Sequence, residues 1–222
     1  MGDIVQKKIT NFFIKVPTNV VRNDGYELKN GAFVLYVNLV WNYFINKSTN
    51  KSELILDHKS IMLNCKISDT RTFKRRLNEL YNADLIKNEI TRVPPRGTIV
   101  IHFNEEKYLK ECEKNFTKVG RSILTYYKNG QIDDYSLRQI FYYMSHINRK
   151  TGNDYCFVSF ETLSDRLMVS KDKISEANEM LEKAKLIKIK KHKLAPTSEY
   201  DEFDALVYDR YQNHYYVDKS MF

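Results

Sequence analysis

Cysteine is scarce in this chain of 222 residues. Cys65, Cys112 and Cys156 are odd in number, widely separated, outside any CxxC and without paired histidines nearby. That excludes a disulfide framework and a zinc site, and leaves reduced, buried thiols as the expectation. Also missing is any apolar run of the roughly 18 residues that a bilayer span requires. The longest run, Ala32 to Ile45, is interrupted by Asn38 and Asn42 and reads as a core helix. The opening MGDIVQKKITNFF has no signal-peptide core, and Gly2 lacks the downstream Ser or Thr that myristoylation prefers. The chain is therefore expected in the cytoplasm, with no membrane partner. Catalytic signatures are absent too: there is no GxxxxGK, GxSxG, HExxH or His-x-His. The five histidines, His58, His102, His146, His192 and His214, lie in separate segments and form no spacing motif. Neither a catalytic site nor a metal or cofactor is expected.

What the chain does have is positive charge and apolar mass. Lys and Arg number 36 against 28 Asp and Glu, a net +8, while 42% hydrophobic and 13% aromatic content excludes intrinsic disorder. The length allows two domains of about a hundred residues. Self-similarity along the chain sharpens that reading. Phe13-Ile-Lys-Val-Pro-Thr-Asn-Val-Val21 aligns with Phe116-Thr-Lys-Val-Gly-Arg-Ser-Ile-Leu124 at an offset of 103 residues. Ala83-Asp-Leu-Ile86 aligns with Ala184-Lys-Leu-Ile187 at 101, and between these anchors Leu56 and Ile61 match Val158 and Leu163. The shared order and near-constant spacing mark a duplicated unit.

In the first copy, Ala32 to Phe44 reads as a buried helix after the Asn30-Gly31 turn. Leu54 to Leu56 reads as a short strand, and Asp57 caps a second helix ending near Asn64. Ser68 or Asp69 caps a third helix reaching Asn82, whose Phe73, Leu77, Leu80 and Tyr81 make one apolar stripe. Leu85 to Thr91 and Thr98 to Phe103 are expected as a β-hairpin around Arg92-Val-Pro-Pro-Arg-Gly97. The second copy repeats the plan: helix Tyr135–Asn148, strand Asn153–Val158, helices Phe160–Met168 and Ser170–Lys183, and strands Leu186–Lys193 and Asp204–Tyr211 with a tip at Ala195–Phe203. The order is that of a winged helix-turn-helix. The expected fold is thus α+β, mostly α, a tandem winged helix-turn-helix: residues 10–104 as an N-terminal DNA-binding domain, 105–115 as a linker helix and 116–218 as a C-terminal domain. The Tyr-rich tail from Gln212 adds a strand or a contact surface.

In this architecture the third helix enters the major groove and the wing touches phosphates or the neighbouring minor groove. With Phe73 at the centre of the apolar stripe, a helical wheel places Arg71, Arg75, Asn78 and Asn82 on the opposite face. Arg pairs bidentately with guanine and Asn with adenine, so Arg71, Arg75 and Asn78 are the candidate base readers. Lys74 and Arg76 flank them and suit phosphates, as do Arg92 and Arg96 beside the Pro-Pro turn; a solvated basic helix and a plain surface turn are the alternatives. At the offset of 101, Arg71 becomes Asp172, Arg75 becomes Glu176 and Asn78 becomes Glu179, and carboxylates are repelled by a phosphate-lined groove. Net charge agrees, +7 for residues 1–104 against +1 for 105–222. Lys188, Lys190 and Lys191 in the second wing suit phosphates, or equally serve as solvated edge lysines that block aggregation. The pairs Tyr126-Tyr127, Tyr142-Tyr143 and Tyr215-Tyr216 are read as packing residues, because no metal-binding motif accompanies them as it would in a nicking nuclease.

The segments FIKVPTNVV, LKNGAFVLYVNLVWNY and SDTRTFKRRLNELYNADLI resemble the winged-helix domains of plasmid and phage replication initiators and replisome organisers. In that family an hVPN strand precedes a long first helix, and a helix ending in Leu-Ile leads into the wing; here Thr18 stands between Pro17 and Asn19. The resemblance covers most of the first copy and implies binding of double-stranded DNA at repeated or palindromic sites. The second copy would then pair with another subunit, as a homodimer through the second domain or the tail, or recruit a replication protein. A transcriptional regulator with the same DNA chemistry, and an adaptor binding protein on both copies, are the other readings.

Overall fold

A computed structural model of the protein describes residues 12–46, 48–147, 152–200 and 206–222. Chain order runs β1 (Phe13–Pro17), α1 (Thr18–Arg22), α2 (Asn30–Ile45), β2 (Glu53–Asp57), α3 (His58–Asn64), α4 (Thr70–Asn82), β3 (Thr98–His102) and α5 (Glu105–Lys114). It continues with β4 (Phe116–Gly120), α6 (Ser122–Lys128), α7 (Asp134–His146), β5 (Cys156–Phe157), α8 (Phe160–Leu167), α9 (Lys171–Lys183), β6 (Ile187–Tyr200) and β7 (Leu206–Val217). The protein is α+β, with small antiparallel sheets β1-β4, β2-β3 and β5-β7-β6. No helix among the described residues is long and apolar enough to cross a membrane.

Local chemistry accounts for α3, α4 and α9. The Asp57 carboxylate accepts from the Ser60 N–H at 2.9 Å and starts α3; the Asp69 carboxylate accepts from Thr72 N–H at 2.7 Å and starts α4. Phe73, Leu77 and Leu80 are buried on α4, and Ile174, Asn178 and Leu181 occupy the same places on α9, which Ser170 caps. The turns also match. Left-handed φ values occur at Lys66 and Met168, ahead of α4 and α9, and at Asp84 and Lys185, just after them.

The two copies meet across a local two-fold arrangement. In the β1-β4 pair, Lys15 faces Lys118, while Phe13 faces Gly120 and Pro17 faces Phe116. Every residue thus faces the counterpart of its mirror position at the offset of 103. The flanking bonds obey the same exchange, Thr18 N–H donating to Asn115 O (3.2 Å) and Arg121 N–H to Phe12 O (2.9 Å). Below this ribbon α2 packs on α7, with Phe33 edge-on to Phe141 at 5.5 Å. Arg138, fully buried on α7, reaches into the first copy: its guanidinium donates to Asn23 Oδ1 (2.7 Å), Val20 O (3.3 Å) and Leu28 O, and lies over the Phe33 ring. One continuous core therefore spans both copies.

Several expectations change. The hairpin over Leu85–Phe103 does not form as two strands: β3 pairs with β2, and the earlier segment gives only an isolated bridge, Ile86 to Phe103. Asn88 explains it, because its side chain accepts from His102 N–H (2.7 Å) and donates to Val100 O (2.9 Å), occupying the strand edge that a neighbouring backbone would need. The second wing is longer than expected, and Gln212 to Val217 of the tail belongs to β7. Residues 201–205 at the expected tip, and Asn148, lie outside the described residues.

Candidate nucleic-acid interface

Helix α4 is amphipathic because its polar residues fall on the two flanks and back of the Phe73-Leu77-Leu80 stripe. Arg71 and Arg75 are exposed, and neither takes part in an ion pair among the described residues. Lys74 is half-buried and Asn82 exposed. Asn78 sits deeper than the wheel implies: its Oδ1 is closed off from solvent without a hydrogen-bond partner among the described residues.

Arg76 departs from its expected phosphate role. Its guanidinium is 3.0 Å from the Asp134 carboxylate, with side-chain exposures of only 16% and 23%, and it also donates to Gly31 O at 3.2 Å. Asp134 accepts a second hydrogen bond from the Tyr127 hydroxyl at 2.6 Å, and its charge together with burial pushes that phenol well above the ordinary range. A Cβ at residue 31 would collide with the Arg76 guanidinium, so Gly31 is what lets the arginine lie across the start of α2. Arg76 therefore clamps α4 to the second copy.

Charge limits how far along α4 a phosphate backbone is tolerated. Beneath the C-terminal end of the helix opens a cavity of about 720 Å³ lined by Asp24, Glu27, Glu79, Asp84 and Glu111, with Lys107 as the one cation. Carboxylates this dense repel a polyanion, so Arg71, Lys74 and Arg75 in the first two turns are the part of α4 suited to DNA. The N-terminus of the helix already holds an anion, Asp69, kept below the usual carboxylate range by the Thr72 N–H.

Arg92 and Arg96 are exposed on the loop that replaces the expected hairpin strand. That loop is anchored by a residue the sequence did not single out: buried His58, at the start of α3, bonds Gly97 O through Nδ1 at 2.8 Å. Gly97 has φ of 101°, a left-handed geometry that favours glycine. The bond ties the arginine loop to α3.

On α9 the outward residues Asp172, Glu176 and Glu179 are exposed, and Glu176 pairs with Lys173 on its own helix. Lys188 and Lys190 project from the outer face of β6, and Lys191 from the reverse face, so the three do not form a single row. No group of three or more His, Cys, Asp or Glu that could hold a metal ion occurs among the described residues. Comparison of the chain with protein-family models, with curated proteins and with solved structures returns no match.

Proposed function

We propose that the protein binds double-stranded DNA in a sequence-specific manner, as a replication initiator built on tandem winged helix-turn-helix units, with α4 of the first unit as the groove-reading helix. Arg71 and Arg75 read base edges, Lys74, Arg92 and Arg96 hold phosphates, and the second unit carries the contacts to another subunit or to a replication protein. The observation that supports this most directly is the pair of guanidinium groups, Arg71 and Arg75, exposed on the outward side of α4 with no ion-pair partner among the described residues. Asn78, with its carbonyl closed off, drops out of the set of base readers, and Arg76, occupied by Asp134, out of the set of phosphate contacts.

The test uses the duplex that the full chain enriches from a randomised library. Affinity for that duplex should fall steeply with salt, by roughly 0.9 of a power of concentration per phosphate contacted, and should exceed affinity for random duplex. A chain that enriches no duplex, or binds all duplexes alike with no salt dependence, is a protein-binding adaptor and the reading fails.

A further inference from the structure

Over residues 156–157, 187–193 and 212–217, the sheet β5-β7-β6 buries one face and leaves the other partly open to solvent. Cys156, Tyr215, Val217 and Ile187 point into the core, and Tyr215 stacks on Tyr143 at 4.3 Å. The pleat sends their neighbours outward. Register sets Phe157, His214 and Lys190 in one row, and Tyr216 opposite Lys188. Tyr155, His214 and His192 form a stack across the three strands, with ring centroids 4.1 and 3.8 Å apart. His192 is exposed at the edge strand, so the outer end of that stack is open. Phe157 stands beside Tyr155 with 55% of its surface in solvent, and Lys190 Nζ lies 4.8 Å from the Tyr216 ring. On this outward face, over residues 156–157, 187–193 and 212–217, the register places Lys188 and Lys190 and no carboxylate.

Next to Phe157 opens a cavity of about 380 Å³ whose lining includes Tyr142, His146, Asn153, Tyr155 and Gln212. His146 Nε2 is buried and has no hydrogen-bond partner among the described residues. Burial pushes this imidazole down to about 4, so it is neutral at physiological pH. Aromatic faces, an amide and an unsatisfied ring nitrogen are what an unstacked base requires, and lysines between aromatic rings suit the phosphates that join successive bases. A duplex cannot use such a surface, because its base faces are already stacked.

We propose that this sheet face is a second nucleic-acid site, specific for single-stranded DNA. Bases stack on Phe157 and on the open His192 end of the ring stack, Lys188 and Lys190 hold phosphates, and one base enters the cavity beside Tyr142 and His146. The choice of DNA over RNA rests on the duplex-DNA reading of α4; the stacking site itself does not.

The experiment titrates the full chain against fluorescein-labelled oligothymidine of about 15 nucleotides, near the upper span of known single-strand platforms, with oligouridine of equal length and the enriched duplex as further arms. Phe157→Ala should weaken oligothymidine binding about 5- to 150-fold, the loss expected for one base–aromatic stack. Phe157→Leu, which keeps apolar bulk, should weaken it comparably. Lys190→Ala should reduce the salt exponent by about 0.7. The double variant Arg71→Ala/Arg75→Ala should lose the duplex and keep oligothymidine. If oligothymidine does not bind, or binds Phe157→Ala or Phe157→Leu as tightly as the parent, the site is refuted. Loss of oligothymidine in the α4 double variant places the strand on α4 and also overturns the site; tighter binding of oligouridine overturns the assignment to DNA. Retention of the duplex in the α4 double variant, with oligothymidine still sensitive at Phe157, refutes the duplex reading alone.

Discussion

Arg75 and Arg76 are adjacent and chemically identical, yet Arg76 is paired with Asp134 while Arg75 is exposed, and on the proposed function their tasks are opposite. Replacing each with Ala therefore separates DNA reading from interdomain holding. Arg76→Ala removes a half-buried ion pair at 3.0 Å and the bond to Gly31 O, leaving Asp134 with the Tyr127 hydroxyl. Breaking a partly buried pair of this kind costs about 2–4 kcal/mol, below the range for a fully buried one. For a chain of this length each kcal/mol lowers Tm by roughly 2–4 °C, so Tm should fall by roughly 4–16 °C. Asp134→Asn in the Arg76→Ala background should add little, because the two residues act as one pair. Arg75→Ala removes no ion pair among the described residues and should leave stability within about 0.5 kcal/mol. Its loss appears on DNA: about 1–3 kcal/mol on the enriched duplex, with relaxed preference at one base pair. Lys74→Ala should instead weaken all duplexes alike and lower the salt exponent by about 0.9. Thermal melting by circular dichroism and anisotropy titrations over a series of salt concentrations read all three variants. If Arg76→Ala melts like the parent and lowers the salt exponent, its guanidinium lies on DNA and the clamp is wrong. Equal losses on enriched and random duplex for Arg75→Ala would reject base reading.

The remaining expectations concern the second unit. Glu176→Ala should leave duplex affinity unchanged or slightly higher in the same titration, since it removes an exposed carboxylate from a helix that, on the proposed function, stays out of the groove; a large loss there refutes the division of roles. Asn178→Ala should lower the urea-unfolding free energy by about 1–3 kcal/mol, because it removes the buried oxygen that accepts from the Gln139 amide (2.6 Å) and the Tyr143 hydroxyl (2.7 Å), leaving the amide its bonds to Tyr143 and Ile174 O. Acid should weaken the fold between pH 6.5 and 4. Burial holds His146, near 4, and His214 below the ordinary imidazole value of 6.5, so the unfolded chain takes up protons first and stability present above pH 6.5 is lost on acidification. His146 alone contributes on the order of 1–2 kcal/mol of that loss by pH 5, and His146→Gln should flatten the pH profile of urea unfolding.

Short-range features were legible in the sequence. The caps Asp57, Asp69 and Ser170, the stripe Phe73-Leu77-Leu80 and the helix Glu105–Lys114 all depend on residues a few positions apart, so local spacing encodes them. What was not legible depends on partners far along the chain. Arg76 was assigned to phosphate because a wheel shows one helix only, whereas Asp134 arrives from α7 in the other copy. The first wing was read as a hairpin from strand propensity, and the Asn88 side chain pre-empts the pairing. His192 and His214 looked unrelated at 22 positions apart, yet the antiparallel pairing of β6 and β7 stacks their rings. A partial signal did exist there: Ile187-Lys188-Ile189-Lys190 alternates apolar and polar residues, the period of a strand with one wet face. Tyr215 and Tyr216 divide accordingly, one in the core and one outside.

The duplication also bears on how many base pairs one chain can read. At the offset of 101, α4 and α9 bury the same positions: Phe73 and Ile174, Leu77 and Asn178, Leu80 and Leu181. Residues facing solvent are free of that packing constraint, and substitutions there alter stability little, so Arg71 and Asp172, or Arg75 and Glu176, can differ without disturbing either unit. The β1-β4 ribbon joins the copies by a two-fold exchange of its own residues; in a dimer of identical readers, two-fold symmetry places two recognition helices on two half-sites. Here the two-fold relates backbones but not charges. On the proposed function a single chain presents one groove-reading helix to one half-site, so a palindromic target recruits two chains and an iterated target one chain per repeat.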